Sequence, residues 1–100
     1  MAAQEYTHQW IDFLIQKTKI YDRVRGQLNP RQEKALARMF REGPDGFTGG
    51  LSADKYRSIT GAPSATATRD LQDLVTKGVL FRTGERKHTR YYLNLTGTLP

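Results

Sequence analysis

From Tyr6 to about Arg25 no residue breaks a helix, and Trp10, Phe13, Leu14, Tyr21 and Val24 recur at three- and four-residue steps. That periodicity predicts an amphipathic helix. At roughly 100° per residue, Ile11, Ile15 and Ile20 flank the stripe, widening the apolar sector to about 220° against the roughly 100° that an ordinary surface helix needs. Two readings follow and both stand: the rest of the domain wraps around this helix, or part of it is a dimer seam or a face cut from a larger protein. Trp10, Ile11 and Ile15 are the candidate interface residues.

Leu28-Asn29-Pro30-Arg31 marks a second helix start, with Asn29 as cap and Pro30 at a position whose amide has no intrahelical partner. Ala35, Leu36, Met39 and Phe40 form its apolar stripe, and Gly43-Pro44-Asp45-Gly46 ends it. Phe47 to Leu51 reads as a short extended piece. Ser52 then caps a short helix over about Ala53 to Thr60, which Gly61-Ala62-Pro63 breaks. Ser64 is the expected cap of a further helix from about Ala65 to Lys77, which Gly78 terminates in the left-handed conformation. Beyond Gly78, Val79 to Thr83 and Thr89 to Leu95 are rich in β-branched and aromatic residues, and they flank the polar loop Gly84 to His88. They predict an antiparallel hairpin with a basic tip.

The order helix, helix, short strand, helix, helix, hairpin is that of a winged helix-turn-helix with an extra N-terminal helix, mainly α with a small antiparallel β-hairpin. The expected organisation is a linking or interface helix over 1–27, the winged domain over 28–96 and a frayed tail over 97–100.

Composition narrows the function. The 100 residues carry 16 Lys and Arg against 10 Asp and Glu, a net charge of +6, within the size of one domain. There is no cysteine, which excludes disulfides, thiolate metal sites and cysteine nucleophiles. His8 and His88 stand far apart without helically spaced partners, so neither a metal nor a cofactor is expected. The longest apolar run is Phe13-Leu14-Ile15, far below the roughly 20 residues of a membrane span. A cytoplasmic protein without membrane contact is the expectation.

Between Leu51 and Leu95 eight basic residues oppose four acidic ones, so most of the positive excess lies in the half bearing the helix-turn-helix and wing. With Ala67, Leu71, Leu74 and Val75 turned inward, Arg69 points outward, and Thr66, Asp73 and Thr76 fall on the same outer side. Arg69 and Thr66 are candidate base readers, because a helix in the major groove reads base edges through its N-terminal residues. Ser64 and the amides of the helix start suit a phosphate oxygen. Arg86 and Lys87 would meet the DNA backbone, and Thr68 and Arg90 complete the candidate set. Asp73 opposes this reading, since on an outer face it would repel phosphate. Asp70 reads as a structural partner for a neighbouring amide or cation.

Ser64 to Leu71, followed by Leu74 to Leu80, resembles the recognition helix and first wing strand of DeoR-type winged-helix repressors. Asn29-Pro30-Arg31-Gln32, Lys55-Tyr56, Thr66-Ala67-Thr68-Arg69-Asp70-Leu71 and Thr89-Arg90-Tyr91-Tyr92-Leu93 together are more similar to the C-terminal winged-helix region of Fic-family proteins. Tyr6 to Trp10, with Phe13-Leu14, looks like the segment that follows the Fic catalytic core. The basic half, the outward Arg69 and the basic wing point to a module that binds duplex DNA, and the resemblance implies that it is the C-terminal regulatory part of a Fic-like protein. The alternative it leaves is a protein-interaction or dimerisation module, docked on a Fic AMP-transferase core, a target protein or a second copy. The His-Pro-Phe-x-Asp-Gly-Asn-Gly-Arg loop of Fic enzymes is absent. No serine has a histidine near it in sequence and no Gly-Lys-Ser/Thr phosphate loop occurs. No catalytic activity is assigned.

Overall fold

The computed structural model describes residues 2–43 and 46–95, and for residues 2–9 the backbone alone. Four helices precede a two-stranded antiparallel sheet: α1 (Ala2–Arg23), α2 (Pro30–Arg41), α3 (Ala53–Thr60), α4 (Ser64–Thr76), β1 (Leu80–Thr83) and β2 (Arg90–Leu93). This is the mainly α order of a winged helix-turn-helix with a helix added in front. The expected tail over 97–100 lies outside the described residues, as do Pro44, Asp45 and Thr96.

Local chemistry sets the boundaries. Asn29 accepts from the Gln32 amide at 2.8 Å, and the Gln32 side chain accepts from the Asn29 amide at 2.9 Å. This capping box satisfies two groups at the start of α2 that the helix leaves open. Ser52 caps α3 through the Lys55 amide at 3.0 Å, and Gly61 closes it at φ +76°. α4 ends in a Schellman motif: the Val79 amide reaches the Leu74 carbonyl and the Gly78 amide the Val75 carbonyl, both at 3.0 Å. Gly78 takes the left-handed turn there at φ +75°.

Sequence and structure differ at the start of α4. The helix begins at Ser64, the cap position is Pro63, and no side chain caps it. Pro63 already holds the extended backbone of a cap at φ −65° and ψ 161°, leaving Ser64 one place too late to act as cap.

The strands pair Leu80 with Leu93 through to Thr83 with Arg90. Leu51 adds an isolated antiparallel bridge to Tyr91, with hydrogen bonds of 2.9 and 2.8 Å, which ties the short extended piece to the wing sheet. One buried cluster joins all these elements, with Leu36 and Met39 of α2, Tyr56 of α3, Leu71 and Leu74 of α4, and Leu80 and Tyr91 of the hairpin. Each large side chain so buried contributes about 1.5–3 kcal/mol.

α1 joins the same cluster through Phe13, Ile20 and Val24. The Phe40 ring of α2 lies 5.6 Å from Phe13 and 5.4 Å from Tyr21. These contacts fix the rotation of α1, so Leu14, expected in the inner stripe, faces solvent, while Ile20, expected on its flank, is buried. Trp10 turns inward as well, edge-on to Phe13 at 5.6 Å, and its indole lies against Gly43. It therefore does not share the solvent face of Ile11 and Ile15. Among the described residues no helix is long and apolar enough to cross a membrane.

Candidate nucleic-acid interface

Besides its core contacts, α4 is tied to α2 and α3 by a buried carboxylate, Asp70. Asp70 lies buried between three helices and accepts four hydrogen bonds: from Asn29 at 3.0 Å, from Arg31 Nε at 2.7 Å and Nη2 at 3.1 Å, and from the Tyr56 hydroxyl at 2.7 Å. Gln32 donates to the Asp70 carbonyl at 3.0 Å and to the Asp73 carboxylate at 2.9 Å. The start of α2 and the middle of α3 thus fix the position and rotation of α4. Burial alone would raise the Asp70 pKa, but the hydrogen bonds from Arg31, Tyr56 and Asn29 and the Arg31 charge outweigh it, leaving the carboxyl below its ordinary value. Burial, then the bond to Asp70, pushes the Tyr56 phenol well above its ordinary value, so at neutral pH it is the donor.

This network corrects the reading of the outer face. Thr66, Asp70 and Asp73 stand at i, i+4 and i+7, one flank of α4, and that flank is turned to α2. Thr66, on that flank, is half-buried rather than fully outward. Asp73 is engaged by Gln32 and by Lys77 at 2.5 Å, and these two bonds, the Lys77 bond foremost, hold its pKa down. Two of the four acidic groups in this half are therefore committed to the α2 side. The solvent face of α4 is Ala65, Thr68, Arg69, Gln72 and Thr76, all exposed. Gln72 was not among the candidates, although its place three residues after Arg69 marks it.

Without a side-chain cap, the first-turn amides of α4 beside exposed Ser64 keep the anion-seeking character of an open helix N-terminus. The wing stands next to this helix. An open cleft of about 460 Å³ brings Thr68 of α4 together with Arg82, Arg86, Lys87 and Arg90 of the hairpin and Asp54 of α3. Arg82, four residues before Arg86 in the same basic hairpin, joins the site, although sequence reasoning counted only its charge. The tip is a single 3₁₀ turn over Arg86–His88, with Arg86 itself at φ +55°. Arg90 is braced by the Thr89 carbonyl at 2.8 Å and the Lys87 carbonyl at 3.2 Å. Asp54 lies 3.8 Å from Arg57, which tempers its charge within the cleft.

The residues behind this arrangement that sequence reasoning passed over are Arg31, Gln32 and Tyr56. All three bond to Asp70 or Asp73 and so orient α4. Their only signal was membership of the motifs Asn29 to Gln32 and Lys55-Tyr56.

No protein-family model matches the chain. Nor does any curated protein match it in sequence.

Proposed function

We propose that this chain is a winged helix-turn-helix module that binds duplex DNA, with α4 in the major groove and the wing on the backbone. The observation that carries the reading is the convergence of Arg82, Arg86, Lys87 and Arg90 with Thr68 in one cleft, beside the open N-terminus of α4. Arg69 and Gln72, both exposed, have the chemistry of base readers, Arg toward guanine and Gln toward adenine. Ser64 and the first-turn amides suit one phosphate, and the wing cations suit several more.

Titrating a labelled duplex library by fluorescence anisotropy at several salt concentrations tests it. Four neutralised phosphates correspond to a log–log affinity slope of about −3.6. Arg69→Ala should weaken preferred sequences selectively, whereas Lys87→Ala should weaken all duplexes alike. Absence of salt-dependent binding at high micromolar chain refutes the reading, and identical behaviour of the two variants refutes the division of roles.

The proposal extends to a regulatory place at the C-terminal end of a Fic-like protein, on the strength of the motif resemblance. Coding sequence upstream that contains the Fic loop supports that extension; an in-frame stop codon immediately upstream removes it.

A further inference from the structure

Ile11, Leu14 and Ile15 of α1 are 49%, 51% and 46% exposed, an unusual density of open aliphatic side chains for two helical turns. With Thr18 they occupy i, i+3, i+4 and i+7, a strip on the side of α1 away from Phe13, Ile20 and Val24. The spacing of the strip, though not its residues, is symmetric about the midpoint of Leu14 and Ile15. Thr18 donates its hydroxyl to the Leu14 carbonyl at 3.1 Å, so its polar group is already satisfied.

We infer that this strip is a two-fold seam on which a second copy of the chain docks its own α1 antiparallel. In that pairing Ile11 lies opposite Thr18 of the partner and Leu14 opposite Ile15, and every contact occurs twice, as an isologous interface requires. Charge supports the same occupant and the same direction. Asp12 and Lys19 are exposed and stand seven residues apart on one edge of the strip, and neither forms a hydrogen bond or ion pair with a side chain of residues 10–43 or 46–95. A two-fold axis that reverses the helix keeps that edge against itself. Asp12 then faces Lys19 of the partner with an axial offset of two residues, about 3 Å, which a lysine stem spans. A parallel pairing sets this edge against the opposite one and loses both ion pairs.

A strip of two turns is smaller than the roughly 800 Å² per partner of a standard interface, so the dimer is weak and is sought at up to about 1 mM chain. Sedimentation equilibrium of the full chain should show concentration-dependent dimerisation. Asp12→Lys and Lys19→Asp, each of which makes two like-charged contacts, should weaken it about tenfold or more. An equimolar mixture of the two variants should recover wild-type association, because both crossed pairs are again of opposite charge. Because the chain has no cysteine, engineered thiols report the direction: Ile11→Cys mixed with Thr18→Cys should oxidise to a mixed disulfide. Ile11→Cys alone should not, because those two positions would lie about 10 Å apart along the axis. A monomer at every concentration, no recovery in the mixture, or a ready Ile11→Cys homodisulfide overturns the inference.

Discussion

Tyr56→Phe isolates the bond that ties α3 to the carboxylate holding α4. The ring is fully buried, and only the hydroxyl that donates to Asp70 at 2.7 Å is removed. No large cavity is made, so the loss is that of a hydrogen bond to an ionised group, about 1.5–3 kcal/mol. Asp70 keeps its Arg31 and Asn29 donors, which favours the lower half of that range. A loss of about 2 kcal/mol is expected, a fall in melting temperature of about 8–16 °C for a domain of this size. The pH dependence provides the second check. In the folded chain Asp70 has a lowered pKa. Its stabilisation is therefore complete above the unfolded carboxyl value of about 4 and is lost as pH falls through the lower folded value. Since Tyr56 supports that lowering, the gap between wild type and Tyr56→Phe should be full at pH 7 and shrink below about pH 4. Urea unfolding followed by circular dichroism at pH 7, 5, 3 and 2 measures both quantities. A loss under about 0.5 kcal/mol at pH 7, or a gap that does not change with pH, would refute the view that Asp70 is the ionised anchor of α4.

Three further outcomes are expected. Asn29→Ala removes the cap of α2 and one Asp70 donor together, so thermal unfolding should register at least about 1 kcal/mol of lost stability. Gly50→Ala places a Cβ 2.7 Å from the Tyr92 ring at φ +83°; it should cost about 1–3 kcal/mol, visible as a lower urea midpoint. Arg86→Gly relieves the left-handed backbone at φ +55°. It should raise stability by up to about 1 kcal/mol while weakening duplex binding at low salt, a pair of effects that separate strain from charge.

Most of the element order is legible in the chain because its ends are chemically marked: Asn29-Pro30 opens α2, Gly61 closes α3, Gly78 closes α4, and the β-branched and aromatic runs after it pair as strands. Rotation about the helix axes is legible only where a stripe is narrow. On α1 the apolar sector is so wide that Leu14 and Ile20 compete for the inside, and the Phe40 ring, distant in sequence, decides between them. On α4 the apolar positions alone leave Asp73 outside. What draws it in is Gln32, a polar side chain 41 residues away, which no periodicity within α4 reveals. The basic cleft is half legible, since Arg86, Lys87 and Arg90 fall within five consecutive positions, whereas the meeting of Arg82 with Thr68 requires the folded hairpin.

Trp10 is the only tryptophan in the chain, and its indole lies over the backbone at Gly43, where an added Cβ would come within 3.0 Å of Cη2. The seam between the first helix and the end of the second therefore carries a built-in optical reporter. Tryptophan emission that shifts to the red before the far-ultraviolet dichroism is lost would mean that α1 peels away while the helix-turn-helix and wing persist. Coincident transitions would mean that the front helix and the winged core melt as a single cooperative unit.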